Sequence, residues 1–113
     1  SIICAAECSD GIPEHGNYGN ILTSASSPDE LLELINKPDY NRHDQWQVQI
    51  QAQIQSKATV YVKSDYLTQS QIANSHLHPI DNIEETISKL CLNKPGSSIC
   101  VLPEGPQTIP YIK

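Results

Sequence analysis

The sequence predicts an α/β domain in three layers, with a short, mainly parallel sheet flanked by helices. Apolar, β-branched runs at residues 1–6, 59–63 and 98–102 are short and bounded by turn residues, the pattern of parallel strands buried under helices. Segments with helical spacing and recognisable start and stop signals separate these runs, and that alternation builds a layered α/β fold. Each run also ends in a turn that carries a carboxylate: Glu7 and Asp10, then Asp65, then Glu104. Ligands of open α/β sheets sit at the carboxyl ends of strands, but an acid after a strand serves equally as a helix cap. The sequence leaves both roles open for these residues.

After the first strand, residues 11–19 hold Gly, Pro, Asn and His without periodicity. They read as a loop over the sheet edge, where function is often carried. His15, beside Glu14 and Tyr18, is the acid–base candidate there, although loops also carry His for solubility. Next, Ser27-Pro28-Asp29-Glu30 assembles a helix start, with a hydroxyl cap, proline at the first helical position and a Glu placed to complete a capping box. Leu31, Leu32, Leu34 and Ile35 supply the buried face, and Pro38 ends the helix.

Residues 46–55 alternate apolar and polar without a break, which taken alone describes a half-exposed strand. Yet Trp46, Ile50 and Ile54 are four apart, so on a helix they drift only about 40° per step. Gln and Ala favour helix, and a strand here would need a tight hairpin at Ser56-Lys57 to reach the run at Thr59. The spacing therefore predicts a helix over 45–56. Past the second strand, Asp65 is placed to cap a short helix reaching about Asn74. Asp81, with Glu84 three later, opens another whose apolar face is Ile83, Ile87, Leu90 and Cys91. Lys94-Pro95-Gly96 stops it, the third strand follows, and a Pro-rich tail over 103–113 closes the chain.

A chain of 113 residues fits one domain, 1–113. It opens inside an apolar run, contains no Met and lacks the features of a signal peptide, which reads as a fragment or processed product. With a net charge of -6 and scattered Lys and Arg, no basic stripe faces phosphates. Nucleic acid and anionic membrane are thus not expected partners. No apolar run approaches the roughly 20 residues of a membrane span.

The four cysteines are expected as reduced thiols of a cytoplasmic protein. Cys4 and Cys100 fall in predicted buried strands, Cys91 on an apolar helix face, and Cys4-x-x-x-Cys8 has neither zinc-knuckle nor redox-pair spacing. His76-x-His78 would offer two ligands to a metal if extended, but it lies between predicted helices with no third ligand nearby and reads as a solvated loop. No phosphate loop and no Gly-x-Ser-x-Gly elbow occur. Trp46 follows the polar run His43-Asp44-Gln45, which holds one end of the indole near solvent, where tryptophans meet surfaces or ligands.

Ala5-Ala6-Glu7-Cys8-Ser9-Asp10-Gly11 after a strand, Ser27-Pro28-Asp29-Glu30-Leu31-Leu32, Asp44-Gln45-Trp46, Thr59-Val60-Tyr61-Val62 with Ser64-Asp65, and Val101-Leu102-Pro103-Glu104-Gly105 follow one another in this chain. The ordered set resembles the C-terminal domain of the nickel-pincer lactate racemase family over nearly the whole length. That resemblance implies an isomerase that inverts a small 2-hydroxy acid. Hydride leaves the substrate C2 for a nickel-pincer nucleotide, attached to an enzyme lysine, and returns on the opposite face while paired histidines exchange the hydroxyl proton. It places the histidines, the lysine and most metal-site residues in the N-terminal domain of the same protein. This fragment would then hold no catalytic or metal residue and no cofactor of its own, and would be inactive alone. Its implied contribution is Trp46, the substrate-binding tryptophan of the Asp-Gln-Trp motif. Pro13-Glu14-His15 departs from a loop that is often glycine-rich in relatives, which bears on substrate choice.

Two other readings compete. A receiver-like, metal-dependent phospho-acceptor would use strand-end carboxylates, but it wants more strands and a lysine at a strand's carboxyl end, and Lys94-Pro95 precedes its strand. A non-catalytic interaction or structural domain would use the acids as caps and bury Trp46. A cleft-closing domain requires instead that Trp46 stand partly exposed.

Overall fold

The computed structural model describes residues 1–109 and Tyr111. It comprises two compact units, Ser1–Ile83 and Glu84–Lys113. In the first, β1 (Ile2–Ala5), β2 (Val60–Lys63) and β3 (His78–Pro79) form a parallel sheet in the order β1-β2-β3. Ile2 to Ala5 face Val60 to Lys63 in register, and His78 and Pro79 face Tyr61 and Val62. Pro79 lacks an N–H and is tolerated because β3 is an edge.

The α/β class and the parallel sheet follow the sequence, but the third strand does not. Residues 98–102 pair with no strand, and Ile99, Val101 and Leu102 are exposed. The edge position goes to His78–Pro79, delivered there by a turn after the fourth helix in which His76 takes φ +58°. A β-branched composition says that a segment suits a pleated surface, not which strand it joins. Nor is β1 buried on both faces: Ile3 is half-buried, and Ile2, Cys4 and Ala5 are exposed, as befits the opposite edge of the sheet.

The core lies mainly among helices. α1 (Tyr18–Leu22), α2 (Pro28–Ile35) and α3 (Gln45–Gln55) bury Ile21, Leu22, Leu31, Ile35, Val48 and Ala52 against one another, with Tyr18, Ala25, Leu32 and Tyr40 packed around them. α2 starts as its sequence predicts. Pro28 opens it, Ser27 Oγ accepts from the Glu30 N–H at 3.2 Å, and the Glu30 carboxylate accepts from the Ser26 N–H at 2.8 Å. Two backbone donors of the helix entrance are thereby satisfied.

α4 (Gln69–Asn74) is capped by Thr68, not by Asp65. Thr68 Oγ1 accepts from the Gln71 N–H at 3.2 Å while Gln71 Oε1 accepts from the Thr68 N–H at 2.9 Å. A cap must directly precede the first turn, and Asp65 stands too early. Its carboxylate instead meets Lys63 Nζ at 2.5 Å. Ile72 of α4 and Val62 of β2 are the buried apolar residues beside the sheet.

In the second unit, α5 (Ile83–Asn93) follows Asp81 as expected, with Glu84 and Glu85 in its first turn, where they complement the helix dipole. Lys89 Nζ lies 2.7 Å from Glu85 Oε1 one turn earlier, and the Lys89 hydrogen bond and charge hold the Glu85 carboxyl below its usual range. A 3-10 turn, Gly105–Gln107, follows Glu104.

The packing separates core from surface sharply. Leu31→Ala, at a fully buried position, should lower unfolding free energy by about 2–5 kcal/mol. Ile50→Ala, on an exposed side of α3, should change it by no more than about 0.5 kcal/mol. Urea titrations of the two variants check this; equal midpoints would contradict the packing.

Candidate functional site

α3 reads Gln-Trp-Gln-Val-Gln-Ile-Gln-Ala-Gln-Ile-Gln and carries no charged residue. On a helix advancing about 100° per residue, strict alternation yields two apolar rows on opposite sides, not one face. Val48 and Ala52 form the inner row, each 0% exposed. Trp46, Ile50 and Ile54 form the outer row at 60%, 50% and 44% exposure. The predicted helix is present, and the row whose spacing predicted it is the one that faces away from the core.

The glutamines fix which row turns inward. Gln51 Nε2 donates to the Ser75 carbonyl at 2.9 Å, and Gln55 Nε2 donates to the Ser75 and His76 carbonyls at 3.0 and 2.8 Å. Tyr18 Oη donates to Gln51 Oε1, and burial raises the Tyr18 phenol above its ordinary value. α3 is thus seated on α1 and on the turn between α4 and β3 by polar contacts as well as by Val48 and Ala52. Trp46 has no freedom to roll inward while these hold.

The entrance to α3 is unusual. Asp44 occupies the cap position with φ +70° and ψ -2°, and its side chain makes no bond to its own helix. Its Oδ2 accepts from the Asn17 N–H at 2.9 Å, and its Oδ1 lies 2.6 Å from His43 Nδ1. Gln45 Oε1 accepts from the Arg42 N–H at 2.7 Å, closing the turn from the other side. Gly16 has φ +83°, and a Cβ there would stand 2.3 Å from Asp44 Oδ2, so a side chain would be strained and would displace the carboxylate. The Asp-Gln-Trp motif is therefore a built corner that joins the loop over the sheet edge to the first turn of α3.

The family model of the lactate racemase C-terminal domain matches residues 1–109. The chain belongs to that family. The lactate racemase apoprotein from Thermoanaerobacterium thermosaccharolyticum has a similar solved structure, with a TM-score of 0.69 and 23% sequence identity. The match covers 84% of this chain and 23% of that one, so the likeness is one of fold and the chain spans under a quarter of that protein's length. No curated relative matches the sequence.

Around this racemase-family corner the other expected residues are dispersed. β1 and β2 end side by side, and Ser64 Oγ donates to the Glu7 carbonyl at 2.7 Å, tying the two carboxyl-edge turns together. The carboxylates of Glu7, Asp10 and Asp65 nevertheless stay exposed, as does Glu104 in the second unit. Among the described residues no three His, Cys, Asp or Glu side chains gather as metal ligands. The acidic pocket that a phospho-acceptor requires is not formed there.

His15 is exposed and not paired with Tyr18, whose hydroxyl turns to Gln51. His76 is half-buried and His78, though exposed, belongs to β3 and not to a loop. His76 Nε2 lies 3.0 Å from the Leu22 carbonyl at the end of α1, and the His78 ring packs on Tyr61 with centroids 5.4 Å apart. All four cysteines are free; Cys4 and Cys100 are exposed instead of buried, because β1 is an edge and residues 98–102 join no sheet. No helix among the described residues is long and apolar enough to cross a membrane.

The sequence reading missed the Asp44 contact altogether. Gly16 followed by Asn17 signals a left-handed turn, but nothing local names a partner 27 residues away. Gly11 gives the control, since it also has positive φ but nothing within 4 Å of an added Cβ. Gly11→Ala should cost only the left-handed penalty of about 1–2 kcal/mol. Gly16→Ala should lower the melting temperature further; equal losses in thermal melts would mean that the Gly16–Asp44 approach does not exist.

Proposed function

We propose that this chain is the C-terminal, cleft-closing domain, residues 1–113, of a racemase of small 2-hydroxy acids, and that Trp46 lines the substrate side of the cleft. The observation that carries the reading is an exposed indole at the built entrance of an uncharged helix, in a chain of the lactate racemase C-terminal domain family. An aromatic left exposed on a face without charge has the composition of an interface or ligand wall. The free thiols suit a reducing compartment, and the reading places the protein in the cytoplasm.

The nickel-bearing nucleotide expected of such a racemase finds no donor set here, because no three ligating side chains converge among the described residues. In this reading it is held by the N-terminal domain, and no step is assigned to it from this chain. What this chain contributes is physical. The flat face of Trp46 covers a small acid, limits its orientations and excludes water from the reacting carbon, which strengthens the electrostatics of a closed site. In this reading the proton chemistry belongs to the N-terminal domain, so the fragment alone is expected to be inactive.

In the longer protein that carries this domain, Trp46→Ala should slow interconversion of 2-hydroxy-acid enantiomers at least about tenfold, equivalent to roughly 1.4 kcal/mol of barrier. Its stability should change by no more than about 0.5 kcal/mol, against about 3–5 kcal/mol for a core Trp→Ala. Chiral assay and denaturant titration of the same sample check both. A variant that unfolds readily yet keeps its specific activity would make Trp46 structural and leave the domain an interaction module.

A further inference from the structure

Asp44 departs from the behaviour of an ordinary cap. A cap residue is normally extended and turns its side chain back onto the N–H groups of its own first turn. Asp44 is left-handed and bonds none of them. Its carboxylate reaches instead to the Asn17 N–H and to His43 Nδ1, and its side chain is only 15% exposed. Gly16 approaches the same Oδ2 so closely that an added Cβ would stand 2.3 Å from it. A non-glycine residue persists in such a backbone only where its surroundings over-determine it, and outliers of this kind gather at functional sites.

The contact joins the loop to the entrance of α3. Glu14 and His15 immediately precede Gly16 and Asn17 in the loop, and Trp46 stands two residues after Asp44 in the first turn of α3. We infer that Asp44 is a positioning residue: its carboxylate clamps the loop to the helix entrance, sets the attitude of the Trp46 indole and keeps the Glu14-His15 segment at the same end of α3. The role rests on the reading of Trp46 as a wall of the substrate site. Each oxygen has its own partner, Oδ2 the Asn17 N–H and Oδ1 the His43 ring. An amide at this position keeps an acceptor for Asn17, whereas alanine keeps none.

The 113-residue chain contains one tryptophan, so its indole emission reports on Trp46 alone. Asp44→Ala should shift the emission maximum and change the acrylamide quenching constant while circular dichroism shows the helices retained. Gly16→Ala, whose Cβ would push on the Oδ2 that accepts from Asn17, should do the same, and Asp44→Asn should return both signals to those of the parent. In the longer protein, Asp44→Ala should lower kcat by up to about tenfold and by no more than Trp46→Ala does, since it acts through that side chain. Combining it with Trp46→Ala should be no worse than Trp46→Ala alone.

Unchanged emission and quenching in Asp44→Ala would overturn the inference, as would a double variant far slower than Trp46→Ala. Should Asp44→Ala fail to fold, the other two variants decide: a shifted Gly16→Ala beside a parental Asp44→Asn supports the clamp, and two parental spectra refute it. If Trp46→Ala leaves turnover intact while Asp44→Ala still shifts the emission, the clamp stands and the reading of Trp46 as substrate wall falls.

Discussion

The seating of α3 is the constraint on which the rest depends. A helix whose apolar residues alternate with glutamine has two equivalent ways to bury itself, and apolar area alone does not choose between them. Gln51 and Gln55 choose, because their amides reach the Ser75 and His76 carbonyls only when Val48 and Ala52 face the core. Each bond adds only about 1 kcal/mol net, but leaving a buried carbonyl unpaired costs more, so the wrong roll is penalised twice. Once α3 is seated, the outer row of Trp46, Ile50 and Ile54 is committed to the outside.

That commitment links packing to function. Were the chain self-contained, a large aromatic on an uncharged helix would be an unbalanced exposure of apolar surface, since exposed patches of this kind mark surfaces that meet something. The corner built by Gly16, Asn17 and Asp44 then fixes where the row begins. The proposed site is consequently not a pocket with catalytic groups but a rigid wall, and its chemistry consists of orientation and exclusion of water.

Features decided within a few residues were legible in the sequence, and features decided across the fold were not. The start of α2 could be read because the Ser27 cap and Pro28 are local signals, although Glu30 reaches back to the Ser26 N–H and not to the cap residue itself. Thr68 and Gln71 carry the same kind of signal, and reading Asp65 as the cap overlooked it in favour of an acid closer to the strand. The helical state of α3 followed from spacing, but its orientation did not, since both rows are apolar and the deciding carbonyls come from a distant turn. β3 was invisible because His78 and Pro79 have no strand propensity and are held only by their register with Tyr61 and Val62. Residues 98–102 misled in the opposite sense, with strand composition and no strand to join. The exposure of Trp46 was anticipated from the polar run before it. The Asp44 clamp was not, because a contact between Asp44 and Asn17 leaves no periodic trace.

The central claim is that the outer row of α3 is a surface waiting to be covered, with Trp46 at its site end. Solvent accessibility of that row, read by hydroxyl-radical footprinting of Trp46, Ile50 and Ile54, tests it most directly when the isolated chain is compared with the longer protein that carries it. The account predicts strong labelling in the isolated chain and protection in the longer protein, with Trp46 protected further when a 2-hydroxy acid is added. Equal labelling of all three residues in both samples, with and without the acid, would contradict it.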